Sequence, residues 1–353
     1  MSRAEGRGAS TVWHVSFLRP SDEPSVAIRQ LSRWLEADQP DPLLIETSGS
    51  TGAPKRVVLP RRAVLASVEA SARRLGESGR WLLALPSSYV AGVQVIVRSL
   101  VAGHEPVVVD GLDVGRAVAS DHSSTPTFVS LVPTQLHRIL ANPEQLASLA
   151  HCHTVLVGGS GLDADQRRLA TEAGVNLVAT YGSSETAGGC VYDGVPLDGV
   201  GVSLGDGGRV RISGPTLFSH YESDPALTAA SVEDGWFLTS DAGRFADDGR
   251  LEIIGRIDDV VISGGVKIPL AVVAERLRAH LQVEQAEVFG VPDPEWGQKL
   301  IAIIVGTAND AELRDWISQV HPRSWAPREF VRASSLPLLP NGKVDRQALQ
   351  AGL

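Results

Sequence analysis

From Leu43 to about Ala179, short apolar runs alternate with stretches whose apolar residues recur every three or four positions. "LLIET" reads as a strand and is followed by a helical pattern over Arg61–Leu75. "WLLAL" at Trp81–Leu85 precedes a helical run over Val90–Ala102, and "PVVVD" follows at Pro106–Asp110. "TFVSLV" at Thr127–Val132 leads to a helix opened by Pro133, and "TVLVGG" at Thr154–Gly159 leads to the helical "DADQRRLATEAG". "VNLVAT" at Val175–Thr180 closes the series. Continuous Val, Ile and Leu runs between helices predict buried parallel strands of an α/β sheet.

The texture then changes. Residues 196–251 are rich in Gly and Asp, with alternating runs such as "GRVRISG" and "GRLEIIG" that predict antiparallel β-structure. Beyond "RIDDVVISGG" the pattern predicts a helix from about Pro269 to His280 and strands near Glu287–Val291 and Ile301–Val305. Another helix and a last β/turn segment follow. The expected fold class is α/β. A large N-terminal α/β domain with mixed sheets and a β-rich subdomain spans residues 1–257, and a small C-terminal α+β domain spans 258–353. No internal repeat or low-complexity segment is seen.

Composition narrows the class. With 353 residues the chain is long enough for about two domains. The net charge of −9, without a basic run, argues against a nucleic-acid partner. Two cysteines, Cys152 and Cys190, make no disulfide scaffold and fit a reducing cytoplasm. The start "MSRAEGRGAS" lacks the apolar core of a signal peptide, and Val90–Ala102, the most apolar stretch, contains Gln94 and Arg98 and is too short to span a bilayer.

Chemistry enters with "TSGSTGAPK", Thr47–Lys55. Glycines let backbone N–H groups approach an anion, hydroxyls add donors, and a lysine adds a point charge, so the loop points to phosphate. It is not a Walker A loop: Gly49 and Gly52 are too close together, and Arg56 rather than a hydroxyl residue follows Lys55. A flexible surface loop would account for the glycines and serines but not for the lysine. Of 32 Lys and Arg residues only Lys55, Lys267, Lys299 and Lys343 are lysines, and three of these lie in the glycine-containing "GSTGAPK", "SGGVK" and "NGK". Lysine and arginine are not interchangeable where a compact charge is required. Lys267 and Lys299 read as ordinary surface residues. "HCH" at His151–His153 lacks the further ligands of a metal site.

Five stretches in order, "TSGSTGAPK", "YGSSET" (Tyr181–Thr186), "TSDAG" (Thr239–Gly243), "GRIDDVVISGGVKI" (Gly255–Ile268) and "PNGKVDR" (Pro340–Arg346), resemble the adenylate-forming superfamily of acyl-CoA synthetases, luciferases and peptide-synthetase adenylation domains. The resemblance runs from about Pro42 to Leu349. It implies activation of a carboxylic acid by ATP to an acyl-adenylate, then transfer to a thiol, with Mg2+ and coenzyme A as the other small molecules. It implies that Thr47, Ser48, Gly49, Ser50, Thr51, Gly52 and Lys55 cradle the β- and γ-phosphates. By the same resemblance Glu185 binds the metal, Thr186 contacts the α-phosphate, and Tyr181 and Gly182 with Gly158 and Gly159 enclose the adenine. Asp241 takes the ribose hydroxyls with help from Arg256. Asp258 is the hinge of a mobile C-terminal domain, Ser263, Gly264 and Gly265 form the pantetheine turn, and Lys343 is the catalytic lysine.

With only 46 residues before Thr47, the chain most resembles the o-succinylbenzoate–CoA ligases of menaquinone biosynthesis, especially the short actinobacterial form. "LPSSYVAGVQVIVRSLVAG" looks like that group's "HxSG" segment, with an arginine, Arg98, six positions after Gly92; Tyr89 stands where a histidine is usual. Tyr89, Arg98, Ser183 and Ser184 are therefore the expected acid-binding residues. Arg98 in an apolar helix is expected either to serve a dicarboxylate or brace the pocket, directly or through its network, or else to snorkel or be held in an internal ion pair. Another aryl- or acyl-CoA ligase, or a free-standing adenylating enzyme that loads a carrier protein, would carry the same motifs. No membrane insertion is expected, and a homo-oligomer is compatible.

Overall fold

The structure is a computed structural model that describes residues 16–47, 54–111, 113–119 and 124–353. Its largest sheet has seven strands in the order Val107–Val108, Arg80–Leu83, Thr127–Leu131, Thr154–Gly158, Leu177–Ser183, Gly188–Tyr192 and Val195–Pro196. The first five run parallel, and the last two are added by antiparallel pairing, each to the strand before it. Thr127–Leu131, the middle strand of the parallel five, is buried at every residue, as a strand covered on both faces must be. The helix Arg61–Leu75 precedes these strands in sequence, and Val90–Val101, Pro133–Leu140 and Ala164–Glu172 lie between them, all close to their expected ranges. The last is capped by Asp163, whose carboxylate accepts from Asp165 N and Gln166 N at 2.9 and 3.1 Å.

Leu43–Glu46 departs from the expectation of a parallel strand. It pairs antiparallel with Arg56–Leu59, and His220–Tyr221 completes a separate three-stranded sheet. A run of four apolar or β-prone residues is too short to reveal its partner. The Gly- and Asp-rich region forms a five-stranded antiparallel sheet from Gly201–Leu204, Arg209–Ser213, Trp236–Phe245, Val232–Glu233 and Leu251–Arg256.

Beyond Arg256 come the hairpin Val260–Ser263/Val266–Pro269 and a second sheet of Val283–Asp293, Gly297–Gly306 and Glu329–Arg332. The helices Leu270–Arg278 and Asp310–Ser318 accompany it. The two long strands extend well past their expected ranges, because apolar periodicity marks only the buried stretch of a hairpin. The chain ends in a helix, Arg346–Ala351, where a β/turn segment was expected; Asp345 caps it by accepting from Ala348 N at 3.0 Å. The clusters of buried apolar side chains fall into sets before Leu251 and sets after Val260.

Candidate active site

The segment around Lys343 meets the C-terminal ends of the parallel strands, where Val132 follows Thr127–Leu131 and Gly159 follows Thr154–Gly158. The turn Pro340–Lys343 is closed by Gly342 N donating to Leu339 O and Leu339 N donating to Lys343 O, both at 2.8 Å. It docks on the start of the Pro133–Leu140 helix, where Thr134 Oγ1 donates to Gly342 O at 2.8 Å. On its other side Arg346 binds the carboxylates of Asp259, at 3.2 Å, and Glu287, and donates to Val288 O at 3.1 Å. These contacts fix where Lys343 points. Its Cε passes 3.1 Å from the position a Cβ would take on Gly159, a residue with φ of +90° that glycine adopts readily. Gly158 is tight for a different reason: a Cβ there would meet Thr180 Oγ1 at 2.3 Å.

Asp241 and Arg256 face each other across paired strands. Tyr181 donates its hydroxyl to Asp241 Oδ2 at 2.7 Å. The residues expected at the adenine and the ribose are thus joined directly. Desolvation, only partly offset by the Tyr181 hydrogen bond and the Arg256 charge, holds the Asp241 carboxyl above its usual range. Desolvation and the Asp241 charge raise the Tyr181 hydroxyl. Lys343 keeps an exposed surface, but protein atoms crowd its flanks; that desolvation and the Arg256 charge lower its pKa, against the opposing pull of Asp241. Solvent reaching it from the open side tempers the effect.

Glu185 lies in the 3₁₀ turn Ser184–Thr186, directly after the strand that carries Tyr181, and is 7% exposed. Its Oε1 accepts from Tyr221 at 2.7 Å. Among the described residues no cationic side chain comes within ion-pair range of this carboxylate. A buried anion without a counter-charge fits a divalent cation, and one protein carboxylate plus substrate phosphates is the way Mg2+ is commonly held. Among the described residues no cluster of three or more metal-ligating side chains occurs, so such a cation would depend on oxygens brought by the nucleotide.

The phosphate loop joins two antiparallel strands rather than a strand and a helix. Its ends are pinned together: Thr47 N donates to Lys55 O at 2.9 Å, and Lys55 N donates to Thr47 Oγ1 at 3.2 Å. The Lys55 ammonium lies 5.5 Å from the centre of the Tyr221 ring. Ser48, Gly49, Ser50, Thr51 and Gly52 lie outside the described residues.

The remaining expected residues are engaged within the protein itself. The Thr186 hydroxyl, expected at the α-phosphate, is fully buried in its own turn, where it accepts from Ser183 N at 2.8 Å and lies 2.7 Å from Gly188 O. Gly182 packs against the backbone of Gly188 and Gly189, while Ser183 leaves its Oγ buried without a partner. Ser184 opens the short turn that carries Glu185. Tyr89 caps the Val90–Val101 helix by position. Arg98 points into the core: its guanidinium stacks 5.0 Å from the Trp81 ring centre and donates to the Tyr192 hydroxyl at 3.1 Å, leaving Nε without a partner. The expected internal ion pair is absent among the described residues. Asp258 is held by a fork from Arg256, at 2.7 and 2.5 Å. Ser263, Gly264 and Gly265 turn within the hairpin after Val260, where the Trp296 ring covers Gly264 and Gly264 N donates to Trp296 O at 2.9 Å. Lys267 is exposed and Lys299 pairs with Glu329 at 2.9 Å.

Tyr221 and Thr134 escaped sequence reasoning. Tyr221 stands in "FSHYESDP", outside the five stretches that carried the resemblance; its signal was rarity, since the chain has only four tyrosines.

Comparison with known proteins gives a consistent picture. Residues 11–221 match the AMP-binding enzyme family, and residues 273–343 match the AMP-binding enzyme C-terminal domain. A probable 2-succinylbenzoate–CoA ligase of Mycobacterium tuberculosis is 40% identical over 319 residues, covering 87% of this chain and 83% of the relative. A 2-succinylbenzoate–CoA ligase of Salmonella typhimurium is 34% identical, covering 86% of this chain and 67% of the relative. Among solved structures, o-succinylbenzoate CoA synthetase of Bacillus subtilis in complex with its acyl-adenylate intermediate superposes with a TM-score of 0.77 at 26% identity, over 87% of this chain and 68% of that one.

Proposed function

The chain belongs to the AMP-binding enzyme family, and on that premise we propose that it is an AMP-forming acid–CoA ligase whose acid is 2-succinylbenzoate. The first step joins the acid carboxylate to the α-phosphorus of ATP and expels pyrophosphate. In the second, the CoA thiol attacks the acyl carbon, loses its proton, and expels AMP. The product is a 2-succinylbenzoyl thioester, and the step belongs to menaquinone biosynthesis.

The observation that carries this reading is the Lys343 side chain, held over Gly159 and within electrostatic reach of Asp241 and Arg256. A preorganised cation at a developing phosphoryl and carboxylate charge is the largest contribution a protein makes to such a step. In this reading Asp241 accepts from the ribose hydroxyls, Tyr181 lies along the adenine, and Thr47, Lys55 and the loop between them hold the outer phosphates. Mg2+ bound at Glu185 would neutralise phosphate charge. Thr186, turned inward, keeps the Ser183–Glu185 turn in shape. Ser183, Ser184 and Tyr89 border the acid, and Arg98 supports that wall from behind.

We divide the chain at residues 257 and 258. Asp258 then serves as the hinge about which the C-terminal domain turns for the second step, carrying Lys343 away and Ser263–Gly265 toward the thiol. ATP and CoA as substrates support a cytoplasmic enzyme. No described helix is long and apolar enough to cross a membrane.

Pyrophosphate release across a panel of aromatic and aliphatic acids, followed by detection of the CoA ester, tests the reading. Turnover of 2-succinylbenzoate above the other acids, with free CoA as acceptor, is the expected result. Preference for another acid overturns the substrate, and transfer only to a carrier protein overturns the ligase class.

A further inference from the structure

Tyr221 joins two parts of the site that the sequence keeps far apart. It lies on the strand His220–Tyr221, opposite Val57 of Arg56–Leu59, and so stands beside the exit of the phosphate loop. The ring is 2% exposed. Its hydroxyl donates to Glu185 Oε1 at 2.7 Å, and its face lies 5.5 Å below the Lys55 ammonium. Both elements are firmly placed. Phe218 packs on the ring at 4.8 Å, Phe218 N donates to the Glu185 backbone carbonyl at 2.8 Å, and Tyr221 N donates to Thr228 Oγ1 at 2.9 Å.

A neutral hydroxyl is a fitting partner for a metal-binding carboxylate. It occupies one oxygen and fixes the rotamer, while leaving the negative charge uncompensated for a cation at the other oxygen. A lysine in its place would neutralise the carboxylate and compete with the metal. The ring meanwhile offers Lys55 a weak seat that phosphate oxygens can outbid. We propose that Tyr221 is a positioning residue that presents Glu185 to the divalent cation accompanying ATP and couples that carboxylate to the phosphate loop. This inference rests on the ATP-dependent reading above.

Calorimetric binding of ATP to the full chain, in Mg2+ and in EDTA, tests it without turnover. Outer partners of metal ligands are typically worth about tenfold to a hundredfold in metal affinity. In Tyr221→Phe, which keeps the ring and its packing, the gain in ATP affinity from Mg2+ should shrink about tenfold. Affinity in EDTA should hold, which also reports an intact site. In a Glu185→Gln background, Tyr221→Phe should bring no further loss. A magnesium gain that survives Tyr221→Phe, or equal losses with and without Glu185, overturns the proposal. A wild-type chain whose ATP affinity ignores Mg2+ overturns instead the reading on which it rests.

Discussion

Lys343 crosses Gly159 so closely that a Cβ on the glycine would lie 3.1 Å from Lys343 Cε. Gly159 also has φ of +90°, where an L-residue is strained. Gly159→Ala should therefore displace the ammonium rather than merely loosen the turn. Misplacement of a reacting group by about 1 Å can lower a rate roughly a hundredfold. A Cβ at 3.1 Å asks Lys343 to give only by a few tenths of an ångström, so adenylate formation should fall less than that, by about tenfold. In a Lys343→Ala background the same change should add little, since the contact is already gone. Additive losses measured by single-turnover pyrophosphate release would show that Gly159 acts independently of Lys343.

Lys343→Ala should lower adenylate formation by about 10²- to 10³-fold, the usual magnitude for loss of one preorganised group at a developing charge. Thioester formation from supplied acyl-adenylate should be spared. Its pH behaviour follows from the lowered pKa: the ammonium is needed, so the alkaline limb of adenylation should fall below the ordinary 10.5. Lys343→Arg should move that limb upward. Stability runs the other way. Between the lowered value and 10.5 the unfolded chain holds this proton more firmly than the folded one, so stability should rise with pH across that window. An alkaline limb unmoved by Lys343→Arg would assign the titration to another group.

The sheet and the motifs were legible for a physical reason. Parallel strands such as Thr127–Leu131 are buried throughout, and their apolar runs show in one dimension. Lys55 and Lys343 stood out because the chain otherwise uses arginine. Pairing was not legible: nothing in "LLIE" says that its partner is Arg56–Leu59. Nor was side-chain direction. Thr186 lies within a recognised motif, yet its hydroxyl faces its own turn. Tyr221 becomes interesting only when folding brings it to Glu185 across a long stretch of sequence.

Asp258 is exposed and bound by the Arg256 fork, within a short 3₁₀ turn between two hairpins. A hinge there must change its backbone angles, and proline fixes φ near −65°. Asp258→Pro should leave pyrophosphate release intact and stop CoA-ester formation. Asp258→Asn should keep both half-reactions while weakening the fork. Normal thioester production by Asp258→Pro from isolated adenylate would move the hinge elsewhere.

We propose Arg98 as the residue on which to test substrate choice. 2-Succinylbenzoate keeps one carboxylate charged while the other is activated, and a charge in a dry pocket needs a cation or several donors. Arg98 is 7% exposed, and no carboxylate pairs with it among the described residues. Its contacts are the Trp81 ring and the Tyr192 hydroxyl, and Tyr192 in turn bonds Ser71 Oγ at 2.8 Å. That leaves a buried positive charge with an idle Nε, which a substrate carboxylate would satisfy directly or through water. It also provides a simpler role: a cation stacked between helix and sheet that braces the wall of the pocket. The two roles separate in kcat/KM for 2-succinylbenzoate and for a benzoate lacking the second carboxylate. If Arg98 answers the free carboxylate, Arg98→Ala should penalise the diacid about tenfold or more beyond the monoacid, as expected for a lost charge-assisted hydrogen bond. Tyr192→Phe, which frees the guanidinium of one tether, should then change the diacid least. If Arg98 is a brace, both acids should fall together and Tyr192→Phe should mimic part of the loss. Equal penalties would leave acid selection to the Ser183–Ser184 turn, with the adenylating chemistry unchanged.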